Sequence, residues 1–307
     1  MDASPPARKR RPEPALNPAD EPAREPAARA KNLLIRVLAG LVLIPVVLLV
    51  NHKGGLVFAG FVALLAALAC REFYALFGDR VPGGLRIVGI LGGVPVCLAF
   101  HFGSLEGGAL AVSVLFVAVL VVSLIRQDQA SFATVASLGL TGPVYTGWLL
   151  GFFVLLRATA GGPAASSGAG RDYVLMVLIL TWSYDTLAYL GGSFLGRRKL
   201  FTRISPSKTL EGTLTGLAGS VAAALVCRST FAGYFGWVEA VMLGLLIGVA
   251  AQTGDLVESL FKRSARAKDS SHLIPGHGGV LDRCDSLLLA APMFYLYIRV
   301  LSDWISQ

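Results

Sequence analysis

Two groups of acidic residues border a basic stretch between positions 255 and 286. Each group has two carboxylates and a serine at spacings that place them on one helical face. The groups are Asp255, Glu258 and Ser259, and then Asp282, Asp285 and Ser286. Mg²⁺ binds in proteins through one or two carboxylates together with substrate phosphates. The pattern predicts a site for Mg²⁺, alone or with a second cation, whose metal ligands are Asp255, Glu258, Asp282 and Asp285.

A turn rich in glycine and several basic side chains separate the two acidic groups. The turn reads Pro-Gly-His-Gly-Gly at positions 275–279 and can fold one acidic group against the other. Basic side chains stabilise phosphate charge as a transition state forms. We therefore expect catalytic roles for Asp255, Asp282, Lys262, Arg263 and Lys268. We expect substrate contacts from Ser259, His277, Gly278, Gly279 and Arg283. A phosphate nucleophile is already ionised near neutral pH, so ligand contact is favoured over proton transfer for His277.

A second basic block occupies residues 196–212, between two apolar stretches. Its five cations are Arg197, Arg198, Lys199, Arg203 and Lys208. Hydroxyl groups follow near a predicted helix start, where unpaired N–H groups and the helix dipole attract anions. The block predicts a cradle for a nucleotide or lipid phosphate, formed by Arg197, Ser205, Lys208 and Thr209. The alternative is positive charge typical of a cytoplasmic loop, with a hydroxyl serving as an N-cap.

Isolated carboxylates also occur in apolar surroundings. Asp185 lies within an apolar stretch, where a charged residue costs roughly 2.5–3.5 kcal/mol on insertion scales and normally has a partner or a function. We predict that Asp185 lines a polar cavity and takes part in catalysis; a structural pair is the alternative. For Arg71 and Glu72, a structural ion pair is favoured over a contribution to a headgroup pocket.

The composition is that of a membrane protein. Of 307 residues, 54% are hydrophobic and 15% are charged, whereas soluble domains average about 25% charged. Nine apolar stretches are long enough to cross a bilayer. They are residues 33–50, 56–77, 87–102, 108–125, 135–156, 173–195, 213–231, 238–257 and 286–304. The sequence predicts an all-α polytopic membrane protein.

Orientation follows from the basic residues, which concentrate in cytoplasmic loops. With a cytoplasmic N-terminus, 20 of the 27 Lys and Arg residues fall in inner loops. The expected organisation is a disordered tail over 1–32, transmembrane helices over 33–134, and a catalytic transmembrane domain over 135–307 with cytoplasmic loops 196–212 and 258–285. The tail has a basic run at positions 8–11, which is either solvated or attracted to anionic lipid.

At these motifs the chain resembles the phosphatidate cytidylyltransferase (CDP-diacylglycerol synthase) family. The resemblance rests on Ser259, Lys262, Arg263, Lys268, Asp269, His277, Gly278, Gly279, Asp282, Arg283 and Asp285, and upstream on Trp182, Asp185, Tyr189, Gly196, Ser205, Pro206, Lys208, Thr209, Glu211 and Gly212. It is sharp over about residues 140–290. Departures occur at Leu187, Leu210 and Cys284, where the family has other uncharged residues.

The resemblance implies transfer of CMP from CTP to phosphatidic acid, giving CDP-diacylglycerol and pyrophosphate. It also implies divalent-metal dependence, a role in phospholipid biosynthesis, a bacterial inner (plasma) membrane with the active site facing the cytoplasm, and a homodimer. The partners expected are CTP, phosphatidic acid and the bilayer, with no nucleic acid. Two other classes stay open at this stage: another CTP-dependent membrane lipid enzyme such as a polyprenol kinase, and an anionic-lipid transporter.

Overall fold

The computed structural model describes residues 26–102, 105–125, 130–159, 168–271, 273 and 278–301. For residues 26–39, 300 and 301 it describes the backbone. Ten α-helices account for most of the chain. They are α1 (Pro26–Lys53), α2 (Gly55–Phe77), α3 (Gly83–Ala99), α4 (Leu105–Ile125), α5 (Phe132–Pro143), α6 (Leu149–Ala158), α7 (Ala169–Phe194), α8 (Leu210–Thr230), α9 (Trp237–Ser264) and α10 (Leu281–Leu296).

Among the described residues, seven helical segments are long and apolar enough to cross a membrane. They match the second to eighth predicted spans. In a helix the backbone N–H and C=O groups bond to each other within the segment, as a segment in lipid requires. The predicted fifth span is α5 and α6 joined by a π-helical turn, Val144–Trp148, directly after Pro143. Proline lacks the N–H of a regular helix, which explains the irregular turn at that point. The all-α polytopic class is confirmed.

The first and ninth predicted spans correspond to α1 and to α10 with the π-helical turn Tyr297–Leu301. Within the described residues, α1 contributes a shorter apolar helix, Gly40–Lys53, and α10 has 16 residues. Helix α1 begins at Pro26, within the last residues of the tail predicted over 1–32. The basic run at positions 8–11 and the rest of the predicted tail lie outside the described residues.

Both predicted cytoplasmic loops contain regular structure. In the loop 196–212, β1 (Lys199–Phe201) and β2 (Ser205–Thr209) pair as an antiparallel hairpin, and α8 follows at once. The predicted loop 258–285 is narrower than expected, since α9 continues to Ser264 and α10 starts at Leu281. The polar residues at the end of α9 and the start of α10 are therefore held on helices.

Two helical groups form the interior. In the C-terminal half, α7 packs on α8, and α9 packs between α8 and α10. In the N-terminal half, α2, α3 and α5 pack together, and α6 contacts both α7 and α10. Helix α2 also contacts α10. Through these contacts both halves of the chain reach the segment that starts α10.

Helix α9 ends in a tight turn that usually requires glycine. The N–H of Ala267 donates to the carbonyl of Lys262 at 2.8 Å, and the N–H of Arg266 donates to that of Arg263 at 3.0 Å. This pair of bonds is the Schellman motif, whose C′ residue is left-handed. Arg266 occupies that position with φ 57°. A side chain with a Cβ atom is strained in this conformation by about 1–2 kcal/mol.

We expect Arg266→Gly to raise the midpoint of thermal unfolding in detergent, because glycine removes this strain. The net gain is about 1 kcal/mol or less, since glycine also increases the entropy of the unfolded chain. Arg266→Ala is the matched control: it removes the guanidinium but keeps the Cβ atom, so no gain is expected. A lower midpoint for the glycine variant than for the alanine variant would contradict this explanation.

Candidate functional site

Helices α9 and α10 approach each other closely where the acidic groups lie. A Cβ atom at Gly254 would lie 3.1 Å from the Cα atom of Ser286 and would also collide with the carbonyl of Asp285. A glycine is therefore needed for this approach. Because Asp255 follows Gly254 directly, the contact sets Asp255 and Asp285 at one level of the two helices.

Asp255 is paired with the basic hairpin. Its Oδ2 lies 2.7 Å from Nζ of Lys208, and its Oδ1 accepts a hydrogen bond from the Ser259 hydroxyl at 3.3 Å. Lys208 belongs to β2, immediately before α8. The structure thus brings the predicted phosphate cradle to the first acidic group, although 47 positions of sequence separate the two residues.

Negative charge accumulates around Asp285. Burial raises the pKa of Asp285 to about 7, and the charges of Asp255 and Asp185 act in the same direction. Asp285 also accepts the Ser286 N–H at 2.6 Å, and the Ser286 hydroxyl donates to Asp185 at 3.4 Å. Asp185, Asp255 and Asp285 therefore come from α7, α9 and α10 to one region.

Glu258 and Asp282 meet at a different partner, Lys262. The Lys262 ammonium lies 2.9 Å from Oδ1 of Asp282 and also pairs with Glu258, whose side chain is fully buried. One mostly buried ammonium thus joins two acidic side chains, from α9 and α10. The metal-ligand role of Glu258 and Asp282 stays a prediction, and the geometry favours a structural role for both.

Asp282 is further engaged by the segment before α10. Its Oδ2 accepts the Gly279 N–H at 2.8 Å and the Ser270 hydroxyl at 2.9 Å. Burial alone would raise the pKa of Asp282, but hydrogen bonding with Glu258, the Gly279 N–H and the Lys262 ammonium holds it below its usual range. Both oxygens of Asp282 are occupied by donors from the chain.

The segment before β1 presents two arginines at the surface. Glu211, in the first turn of α8, accepts the backbone N–H groups of Arg197 at 3.0 Å and Arg198 at 3.1 Å, which fixes the segment before β1. Both arginine side chains are exposed. Arg263 of α9 donates to the carbonyl of Ile204 at 3.5 Å, so the hairpin also touches the end of α9.

The hydroxyl groups of the hairpin have different positions. Thr209 is buried and is the N-cap of α8, since its Oγ1 accepts the Gly212 N–H at 3.1 Å. This is the N-cap alternative stated from the sequence. Ser205 is half-buried, and its hydroxyl lies 3.4 Å from that of Ser207. Ser205 therefore lies nearer the surface than Thr209.

Several predicted site residues lie in or beside the segment before α10. Lys268 is exposed, and His277 lies outside the described residues. Gly278 has φ +78°, a left-handed conformation that glycine adopts without strain. Gly279 is buried, and a Cβ atom there would collide with Ser270 and Glu72.

A cavity of about 530 Å³ opens beside these groups, between α1, α2, α6, α7 and the start of α10. Its polar lining is contributed by Asp185, Thr186, Asp282, Arg283 and Asp285, and Arg283 is exposed. The remaining lining is mostly apolar side chains of the four surrounding helices. The cavity joins a charged end to an apolar interior, which suits a molecule with a charged head and an apolar tail.

Comparison with known proteins assigns the chain to a family. Residues 34–301 match the sequence profile described as "Cytidylyltransferase family". The chain belongs to the cytidylyltransferase family. The match covers every helix from α2 to α10, so the site described above is the site of a cytidylyltransferase-family protein.

Named relatives of the family support this assignment. The chain is 32% identical over 300 residues to "Phosphatidate cytidylyltransferase 4, chloroplastic" of Arabidopsis thaliana, covering 88% of this chain and 74% of the relative. It is 33% identical over 276 residues to "Phosphatidate cytidylyltransferase" of Brucella abortus, covering 89% and 95%. A protein of the same name from Synechocystis is 39% identical over 198 residues, covering 56% of this chain and 66% of the relative.

The family resemblance implies a divalent metal, and the carboxylates of the site meet part of the requirements for binding one. Within the described residues no three metal-ligating side chains lie close enough together to hold an ion as they stand. Asp185, Asp255 and Asp285 nevertheless bring three carboxyl groups to one region, and burial together with the charges of the other two disfavours the ionised form of Asp285. A divalent cation relieves such a cluster. The carboxylate oxygens of these three residues are the ligand type that Mg²⁺ prefers.

One contributor to this cytidylyltransferase-family site has partners that the sequence did not identify. An intrahelical or interhelical pair was expected at Arg71 and Glu72; Arg71 is exposed, and Glu72 is buried and hydrogen-bonded to the start of α10. The pattern of residue types offered one signal, a carboxylate near the end of an apolar helix. Its partners lie about 200 positions away and could not be inferred locally.

Proposed function

We propose that this protein is a phosphatidate cytidylyltransferase, which transfers CMP from CTP to phosphatidic acid and releases pyrophosphate. The observation that supports it best is the cavity, whose charged end has the carboxylates and Arg283 and whose other walls are apolar. A lipid phosphate and a nucleotide phosphate can meet at such an end while acyl chains remain among the helices. The names of the relatives point to the same reaction.

The reaction joins two phosphates. A phosphate oxygen of phosphatidic acid attacks the α-phosphorus of CTP, a new P–O bond forms, and the bond to pyrophosphate breaks. Asp255, Asp285 and Asp185 would hold Mg²⁺, which would supply Lewis-acid stabilisation of phosphate charge. No general base is required, because the attacking oxygen is already ionised near neutral pH.

The basic residues divide between the two substrates. Arg283 lines the cavity and is placed to bind the phosphate of the lipid. Lys208, beside Asp255, and the exposed side chains of Arg197, Arg198 and Arg263 are placed to bind the triphosphate. Fixed cations stabilise the charge that develops on the leaving pyrophosphate.

The site is proposed to face the cytoplasm, where CTP is available, and the membrane is proposed to be a bacterial inner membrane. The hairpin contacts the end of α9 through Arg263 and Lys208, so both basic loops lie at the same side of the protein. Concentration of Lys and Arg on one side is typical of the cytoplasmic face. The homodimer stays a prediction.

The test is a pyrophosphate-release assay on detergent-purified protein with CTP, phosphatidic acid and Mg²⁺. We expect release that requires both substrates, stops with EDTA and yields a lipid labelled from cytidine-labelled CTP. Release of CDP with a phosphorylated lipid would instead identify a kinase. If folded protein releases neither product, the enzymatic role is contradicted. The transporter hypothesis, which the family membership does not favour, would then have to be tested.

A further inference from the structure

Glu72 is a buried carboxylate without an ion-pair partner in the described part of the chain. Glu72 is 3% exposed, and the ion pairs among the described residues involve other carboxylates. A buried charge is costly unless hydrogen bonds or opposite charge compensate it. The side chain therefore depends on the donors that surround it.

Four donors from one segment surround this carboxylate. Oε1 accepts the Val280 N–H at 3.0 Å and the Ser271 hydroxyl at 2.6 Å. Oε2 accepts the Leu281 N–H at 2.8 Å and lies 3.2 Å from the Ser270 hydroxyl, which it shares with Asp282. Each oxygen thus accepts one backbone N–H and faces a hydroxyl group, an arrangement that matches an ionised carboxylate.

The two backbone donors lie at the N-terminus of α10. The first N–H groups of a helix have no partner inside the helix, and the helix dipole favours negative charge there. Glu72 satisfies two of these groups from another helix, while Asp282 satisfies the N–H of Gly279. The buried position of Gly279 against Glu72 leaves no room for a Cβ atom.

We propose that Glu72 is a positioning residue: it fixes Ser270, Ser271 and the start of α10, and thereby holds Arg283 and Asp285 at the charged end of the cavity. Arg283 and Asp285 follow within the first turns of the helix that Glu72 caps. Glu72 does not line the cavity described above, so its effect passes through α10. The activity readout of this inference rests on the proposed function; the structural readout does not.

Glu72→Gln tests the proposal with a nearly isosteric side chain. Because each oxygen of Glu72 accepts a backbone N–H, a glutamine in either orientation must turn its NH₂ group towards one of them. We expect kcat per folded molecule to fall about tenfold or more, as on loss of an orienting partner. We also expect faster hydrogen–deuterium exchange in peptides covering residues 278–285, with unchanged exchange in α7 and α8.

Asp79→Asn is the matched control. It removes a carboxylate a few residues later, at an exposed position beyond the end of α2, so activity and exchange should stay at parental values. A purely structural anchor would lower the yield or melting temperature of Glu72→Gln but leave kcat per folded molecule and KM unchanged. That result would overturn the proposal.

Two further outcomes are decided separately. If Glu72→Gln does not fold, Ser271→Ala removes one donor; faster exchange over residues 278–285 with a reduced kcat supports the proposal, and parental values for both overturn it. If the parent protein releases no pyrophosphate, the proposed function fails. The exchange experiment then decides alone, and unchanged exchange over residues 278–285 in Glu72→Gln overturns the positioning role.

Discussion

In an Asp255→Asn variant, we expect pyrophosphate release to fall at least about a hundredfold, with little change in the unfolding temperature. A metal ion that polarises phosphate oxygens contributes several kcal/mol to transition-state stabilisation, and an amide is a weaker ligand than a carboxylate. Asp255 is about one-third exposed, so its neutralisation leaves no buried charge uncompensated apart from the half-buried Lys208. The measurement is steady-state release at several Mg²⁺ concentrations.

Asp282→Asn provides the informative contrast. The sequence alone predicts that this variant loses turnover but still folds. The structure adds contacts to Lys262, Ser270 and Gly279, all of which donate to the Asp282 carboxylate. We therefore expect Asp282→Asn to lower the unfolding temperature as well as the activity. If higher Mg²⁺ restored Asp282→Asn but not Asp255→Asn, the assignment of ligand and structural roles would be reversed.

The second large effect is expected for Lys262→Met, which should strongly destabilise the protein. Its ammonium is mostly buried between Glu258 and Asp282, whose side chains are 0% and 7% exposed. Removing one member of a buried ion pair costs about 3–5 kcal/mol, because the remaining charge is left without compensation. The measurement is the midpoint of thermal unfolding in detergent.

A double variant separates charge balance from catalysis. Lys262→Met combined with Glu258→Gln removes the ammonium together with one of the two acidic groups that it contacts, so part of the lost stability should return. If the double variant folds like the parent and releases pyrophosphate at the parental rate, Lys262 is structural. If Lys262→Met alone melts at the parental temperature, the buried-pair explanation is contradicted.

Much of the fold follows from the sequence because hydropathy alone determines where a chain can cross a bilayer. Seven of the predicted spans recur as helices with ends displaced by a few residues. The ends of the helices were less predictable from hydropathy, since a helix can continue beyond an apolar stretch when the polar residues that follow also favour helical structure. Helix α9 extends to Ser264 in this way and presents Lys262 on regular structure.

The site was predictable in its residue types but less so in its pairings. The helix start at Thr209 and the proximity of the two acidic groups followed from capping preferences and spacing. The pairing of Lys208 with Asp255, and of Glu72 with the segment before α10, depends on tertiary packing between distant parts of the chain. The β-hairpin was missed because Ser-Pro-Ser-Lys-Thr lacks the apolar alternation of a strand.

The connection between Glu72 and α10 also sets the order in which the chain matures during synthesis. Helix α2 enters the membrane while the donors of Glu72, 198 to 209 positions later, are not yet made. Until they arrive, an apolar helix holds a carboxylate without its hydrogen bonds, a state that lipid disfavours. A chain that stops before α10 therefore keeps a carboxylate without its hydrogen-bond donors in its first half.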